Sequence, residues 1–184
     1  WVWGGDGGAW WVSYLWNLSL LADELGLRRL GARAWRDAAL RELLRRQRRD
    51  GSWDLTGDDD GASDAPVHTA LAVLVLARAR RPVLLNKLDT GGRWSRYHRD
   101  AARLVHWWNA RHDTPVRWQL VGADVPTDVL GTAPLWYINA LDGLQLGPRA
   151  GEKLAGFVGA GGTVLVQSEA GDNGPTRQLA EYLA

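Results

Sequence analysis

The chain has no cysteine and no methionine, a single phenylalanine, and almost no excess of either charge. Without cysteine it forms no disulfide, offers no thiol nucleophile and supplies no thiolate to a metal. The redox compartment, and with it the localisation, is therefore not legible. A formal net charge of +1 over 184 residues gives no reason to expect a nucleic-acid or acidic-membrane partner. No apolar run approaches the roughly 18 residues of a membrane span, and no basic-then-apolar leader opens the chain. The missing methionine and the start at Trp1 are what a piece of a longer protein would show. What is present, 46% hydrophobic and 23% charged residues, is the make-up of a globular protein. Twelve tryptophans stand against the one phenylalanine, and seven of them precede residue 54.

Up to residue 80 every apolar pattern repeats at helical spacing. Residues 1–11 (WVWGGDGGAWW) read as a loop. Ser13 is a plausible N-cap for a helix whose stripe is Tyr14, Leu18, Leu21, Ala22 and Leu25, with Gly26 as its stop. A second helix is expected from Ala34 to Gln47, with Trp35, Ala39, Leu43 and Gln47 on one face. A third, from Pro66 to Arg80, is apolar nearly all round (VHTALAVLVLA) and should be buried against neighbours. Asp64 or Ser63 is the expected cap of that helix. Arg41, Arg45, Arg46, Arg48 and Arg49 would suit a phosphate, but Asp50, Asp54, Asp58, Asp59 and Asp60 follow at once, so a solvated helix face is the simpler reading. The run Asp58-Asp59-Asp60-Gly61 with Asp64 lacks the final Glu of an EF-hand loop counted from Gly61, so no metal is expected there.

After residue 80 short apolar runs alternate with helical segments. Arg81-Pro82-Val83-Leu84-Leu85-Asn86-Lys87-Leu88 reads as a first and central strand, which Pro82 opens at no cost to the ladder. The loop Asp89-Thr90-Gly91-Gly92 leads to a helix with Tyr97, Ala101, Leu104, Val105 and Trp108 inward. Val116–Val121 alternates apolar Val116, Trp118 and Leu120 with polar Arg117 and Gln119, as a half-exposed edge strand does. Leu135–Ile138 is continuously apolar, as a strand buried on both faces is. A helix with Pro148 in its first turn and Ala150, Leu154, Phe157 and Val158 inward precedes the strand Thr163–Gln167, and a last helix starts at Pro175. Alternating strands and helices imply a parallel sheet, and the edge character of the second strand gives the order 2-1-3-4. A ligand site then lies beyond the carboxyl ends of the strands. That gathers Asp89, Thr90, His98, Asn139, Asp142, Ser168, Glu169, Asp172 and Asn173.

None of these residues forms a specific catalytic signature. His98, Ser168 and Glu169 can be posed as base, nucleophile and orienter, but a triad is recognised by geometry and not by spacing. The loop SEAGDNGP before the last helix could receive an anion, though Glu169 and Asp172 oppose it. Lys87, near the end of the first strand, would either reach a bound anion or, more commonly, reach solvent. His106 and His112 read as a helix-face and a helix-end histidine.

Two resemblances add to this. Leu43-x3-Gln47-x3-Gly51-x-Trp53, within LLRRQRRDGSW, resembles the Gln–Trp repeat of terpenoid-cyclase and prenyltransferase/squalene oxidase toroids, over about residues 10–80. The resemblance implies that Gln47, at one helix end, hydrogen-bonds toward the next and that Trp53 stacks across the turn; the plainer reading makes Gln47 a helix-end residue and Trp53 a core anchor. The resemblance does not imply cyclisation. Where those cyclases carry Asp-x-Asp-Asp-Thr-Ala, this chain has Ala65, Val67 and His68 at the three Asp positions before Thr69-Ala70. VLLNKL, GGRWSRYHRDAARLVHWW, APLWYIN and LAGFVGAGGTVLV, in that order over residues 81–184, resemble the bacterial domain of unknown function 4159. That resemblance implies a fold similar to glutamine amidotransferase-like domains, which place a nucleophilic Cys or metal ligands at the same sheet edge. Here there is no Cys, and Asn139-Ala140 stands where Gly-His is typical.

The expected fold class is thus α plus α/β. Partial α/α-toroid helices (1–80) precede a flavodoxin-like parallel sheet of order 2-1-3-4 with flanking helices (81–184), the latter domain cut short at its C-terminal end. The expected function is a non-catalytic ligand-binding or interaction module with an unknown ligand or protein partner. The alternative is a hydrolase- or amidotransferase-like enzyme whose catalytic residues lie partly outside this stretch. No cofactor and no metal are implied.

Overall fold

The computed structural model describes residues 10–54, 64–91, 94–140, 143, 144, 146, 148–169 and 171–183. The expectations for residues 1–9, Asp58, Asp59, Asp60, Ser63, Gly92 and Asp142 fall outside the described residues, as does the side chain of Ala150. Among the described residues the chain forms seven helices and four strands. It divides into two compact units, Trp1–Glu24 with Arg28–Arg81 and Leu25–Leu27 with Pro82–Ala184.

The helical unit contains α1 (Trp10–Glu24), α2 (Trp35–Arg46) and α3 (Ala65–Ala79). α1 begins before Ser13, which is therefore an interior residue and not a cap. Its buried residues are Val12, Leu15, Leu18, Ser19 and Ala22, while Tyr14, Leu21 and Leu25 are exposed. A helix apolar over most of its circumference does not specify its own inner face; the packing partner does. α2 buries Trp35, Ala39 and Leu43 as its spacing predicts, but Gln47 is an exposed C-cap residue. α3 buries only His68, Ala72 and Val75, and Val67, Val73 and Leu74 are exposed. The expectation of an all-round buried helix therefore does not hold for α3. Asp64 stands at its N-cap position without a side-chain cap bond, and only its backbone carbonyl takes the His68 N–H, at 2.9 Å.

The turn after α2 is held by two side chains. Gln47 Nε2 donates to the Gly51 carbonyl at 2.9 Å, and Gly51 has φ +85°, a left-handed backbone that glycine adopts freely. Trp53 is 3% exposed; its Nε1 donates to the Leu43 carbonyl at 2.7 Å and its backbone N–H to Thr69 Oγ1 at 3.0 Å. The arginine run is answered mainly from within α2. Glu42 pairs with Arg45 and Arg46, each at 2.6 Å, and Arg48 pairs with Asp54 at 3.0 Å. The Arg45 hydrogen bond, with Arg46 adding to it, holds the Glu42 carboxyl down at about 2.

The second unit is built from β1 (Val83–Asp89), α4 (Asp100–Asn109), β2 (Arg117–Gly122), α5 (Thr127–Leu130), β3 (Leu135–Asn139), α6 (Pro148–Gly159), β4 (Thr163–Gln167) and α7 (Gly174–Leu183). Its strands make one parallel sheet in the order β2-β1-β3-β4. Lys87 of β1 lies beside Leu120 and Tyr137, and Asn139 of β3 beside Gln167. Leu85, Tyr137, Ala101, Ala102 and Val105 form the core on the α4 face. Leu88, Trp136, Ile138, Leu130 and Leu154 form the core on the other, where Phe157 stacks on Trp136 at 4.1 Å.

Several details of this unit differ from the sequence pattern. The four-residue α5 is not anticipated at all. Tyr97 precedes α4 and is exposed, and Val158 of α6 is exposed as well. Gln119 of the edge strand β2 is buried, because both faces of β2 are covered. Its Nε2 donates to Asn86 Oδ1 and to Thr132 Oγ1, each at 2.8 Å, while Asn86 Nδ2 donates to the Leu130 carbonyl at 2.7 Å. Alternation along β2 thus separates two interior layers, not core from water.

The tripeptide Leu25–Leu27 lies against the outer side of β2, where the Gly26 carbonyl accepts the Leu120 N–H at 2.8 Å. Gly26 has φ +63°, and a Cβ placed there would meet the Trp118 ring at 2.5 Å. Gly26→Ala is expected to cost about 2 kcal/mol, from strain at positive φ and from overpacking together. Guanidinium unfolding of the variant measures it; a loss under about 0.5 kcal/mol would show that neither effect operates.

Candidate functional site

All four strands run the same way, so their carboxyl ends form one edge. Asp89 ends β1, Asn139 ends β3, and Ser168 and Glu169 follow β4 directly. These are the sequence-predicted residues that the sheet brings to one edge. Asp89 closes a tight turn, its Oδ1 taking the Gly91 N–H at 2.9 Å. Glu169 is half-exposed and pairs with Arg96, and Ser168 is half-buried. Asn139 is only 2% exposed, and neither its Nδ2 nor its Oδ1 has a hydrogen-bond partner. His98 is exposed in the turn before α4. Asp172 and Asn173 are exposed in the turn that opens α7, where Asp172 Oδ1 takes the Gly174 N–H at 2.8 Å. Among the described residues no hydrogen bond joins Ser168, His98 and Glu169, and no cluster of His, Asp and Glu suited to a metal occurs.

The strongest polar grouping lies one step inside that edge, on the α4 face, and centres on Lys87. The adjacent residues Asn86 and Lys87 point to opposite faces of β1, so each core layer receives one polar group. Lys87 is 1% exposed, which corrects the expectation of a solvent-reaching strand-end lysine. A central strand covered on both faces offers no path to water. The ammonium has three protons and three acceptors: Asp100 Oδ1 at 2.6 Å, Ser95 Oγ at 3.0 Å and the Tyr97 carbonyl at 3.0 Å. The rings of Trp94 and Tyr137 face it at 5.5 and 5.7 Å. Asp100 Oδ2 accepts the Tyr137 hydroxyl at 2.8 Å, and the Gln167 amide stands against the same hydroxyl. Burial first, and then the hydrogen bond and charge of Asp100, push the Tyr137 phenol above its usual range, so it stays a neutral donor.

This network floors an open groove of about 370 Å³, lined by Asp100, Ala101, Leu104, Tyr137, Leu165 and Gln167. Leu104 and Leu165 form apolar walls, and Leu165 is 45% exposed. α4 covers β1 and β2, and among the described residues no helix covers β4 on this face, so Leu165 stays open. The sequence pattern puts Leu104 on the inner face and singles out none of Asp100, Tyr137 and Gln167. The signal was there in part: a lysine inside VLLNKL needs a carboxylate partner, and Asp100 opens the following helix.

No family model matches the chain, and no curated protein does. The two resemblances therefore stand on the quoted residues alone.

Proposed function

We propose that the α/β unit is a non-catalytic binding module that takes a small ligand in the groove over Asp100, Tyr137 and Gln167. The observation that carries this reading is the groove itself: apolar walls above a preorganised polar floor, as small-molecule sites have. The floor does not have to rearrange, because Lys87 fixes Asp100 and Asp100 fixes Tyr137. The ligand this suits is compact and largely apolar with one or two hydrogen-bonding groups. A non-catalytic role is supported by the same groups. The Lys87 protons are all engaged, Tyr137 is held neutral, and Glu169 is paired with Arg96 instead of orienting His98. The hydrolase- or amidotransferase-like alternative needs a nucleophile, and none of these groups supplies one.

The helical unit is, on this reading, a toroid-type scaffold. The buried Trp53, bonded to both α2 and α3, supports it; the Gln47 bond closes locally on Gly51.

The test is a fragment panel of small cyclic alcohols and amides, read by chemical-shift changes on the labelled chain. Hits are expected to move Leu104, Leu165 and Gln167, and Leu165→Trp, which fills the groove, is expected to weaken them at least tenfold. Hits indifferent to that substitution would remove the groove from the proposal. Ester or amide turnover that vanishes in Ser168→Ala would favour the enzymatic alternative.

A further inference from the structure

Between Asp64 and Arg78, α3 has no Asp, Glu, Lys or Arg. It turns His68, Ala72 and Val75 into the helical unit and leaves the opposite side open. Val67, Ala70, Leu74 and Ala77 are all exposed, Val67 at 57% and Leu74 at 45%, with Val73 beside them at 51%. Successive steps of three, four and three residues put the four on one stripe, the spacing of a seam between paired helices. An apolar stripe of this kind marks an interaction surface.

Three features point to a second copy of the same chain as its cover. Larger and smaller residues alternate along the stripe: Val67, Ala70, Leu74, Ala77. When two such helices run antiparallel about a two-fold axis level with Ala72, Val67 of one copy faces Ala77 of the other, and Leu74 faces Ala70. Every layer then holds one branched and one small side chain, which interdigitate without voids. The helix ends favour the same direction. Asp64 is exposed at the amino end, without a side-chain cap bond, and Arg80 is exposed at the carboxyl end. Antiparallel pairing sets the acidic end of each helix beside the basic end of the other and opposes the helix dipoles, whereas parallel pairing sets like ends together. A net charge of +1, finally, gives two copies almost no mutual repulsion.

We propose that the open face of α3 is the interface of a homodimer, in which two α3 helices pack antiparallel across a two-fold axis. The neighbour that the apolar sequence of α3 calls for is then the same helix of a second copy. α3 has 15 residues and is about 22 Å long, so the contact is smaller than a standard interface and the dimer is weak and reversible. A two-fold contact uses one patch on both copies, so assembly closes at two chains.

The experiment is sedimentation velocity on the full chain from about 1 to 500 μM, the span in which a small interface assembles. Monomer is expected at the low end and dimer, with no larger species, at the high end. Leu74→Lys places an ammonium against Ala70 of the other copy, twice per dimer, and is expected to weaken association roughly tenfold or more. Leu74 is exposed, so that variant is expected to keep its far-ultraviolet spectrum. Trp107→Lys removes a similarly exposed apolar side chain from α4 and is expected to leave association unchanged. The direction of packing is read by disulfide cross-linking, which the absence of native cysteine makes unambiguous. Val67→Cys and Ala77→Cys chains are expected to cross-link when mixed and not when oxidised separately, because antiparallel packing brings Val67 within disulfide reach of Ala77 alone. A monomer at every concentration would leave the face to a different protein and overturn the proposal. Species larger than a dimer, cross-linking within either cysteine variant by itself, or equal losses from Leu74→Lys and Trp107→Lys overturn it too.

Discussion

Lys87→Met is expected to destabilise the α/β unit by about 3–5 kcal/mol, the range for removing one partner of a buried ion pair. The side chain is replaced at nearly equal length, so the loss is not a cavity effect. What remains is the Asp100 carboxylate without its cation, beside the Tyr137 hydroxyl and largely buried. The double change Lys87→Met with Asp100→Leu is expected to recover a large part of the loss, because it removes the uncompensated charge. Amide exchange in β1 and β3 reads the effect where it acts, which matters in a chain of two units, where global unfolding does not separate one from the other. A loss below about 1 kcal/mol in the single variant would mean that Lys87 does not hold Asp100 in place. The groove would then have no fixed floor, and the binding reading would lose its support.

Trp53→Ala is expected to cost the helical unit about 3–5 kcal/mol, as truncation of a large buried aromatic does. Trp53 is 3% exposed and ties three parts of the unit: its ring nitrogen bonds to Leu43 at the end of α2, and its backbone N–H to Thr69 in α3. Trp53→Phe keeps most of the apolar area and loses the indole hydrogen bond. It is expected to cost about 1–2 kcal/mol, since the buried Leu43 carbonyl is left without that partner. The two variants together separate packing from hydrogen bonding. Exchange in α2 and α3 measures both, with binding in the sheet groove unchanged. Equal losses in the Ala and Phe variants would show that the hydrogen bond, and not the ring, is the anchor.

The order of elements and the strand order β2-β1-β3-β4 were legible because they rest on periodicity and on strand burial. Both are properties of a few neighbouring residues. Leu135–Ile138 has no polar position, so it had to be interior, and Pro82 marked where the helical pattern stops. The turn Gln47–Trp53 was legible for the same reason, since its two side-chain bonds close within ten residues. The carboxyl-edge residues were only partly so. A parallel sheet brings Asp89, Asn139 and Ser168 to one edge, but nothing local shows that Glu169 is taken by Arg96 across a long loop.

By itself, then, the sequence determined the long helices, the four strands and which strand is central, though not the four-residue α5. It did so because hydrogen-bonding period and apolar period must agree within each element. Only the tertiary structure decided which face of α1 is inner, that Gln119 is buried, and that Lys87 meets Asp100. α1 is apolar on more than one side, so its neighbours choose among faces that the pattern leaves equivalent. Gln119 and Lys87 are polar residues whose burial is tolerable only once a partner is supplied. Those partners, Asn86, Thr132 and Asp100, come from other elements, at positions that no local period can announce.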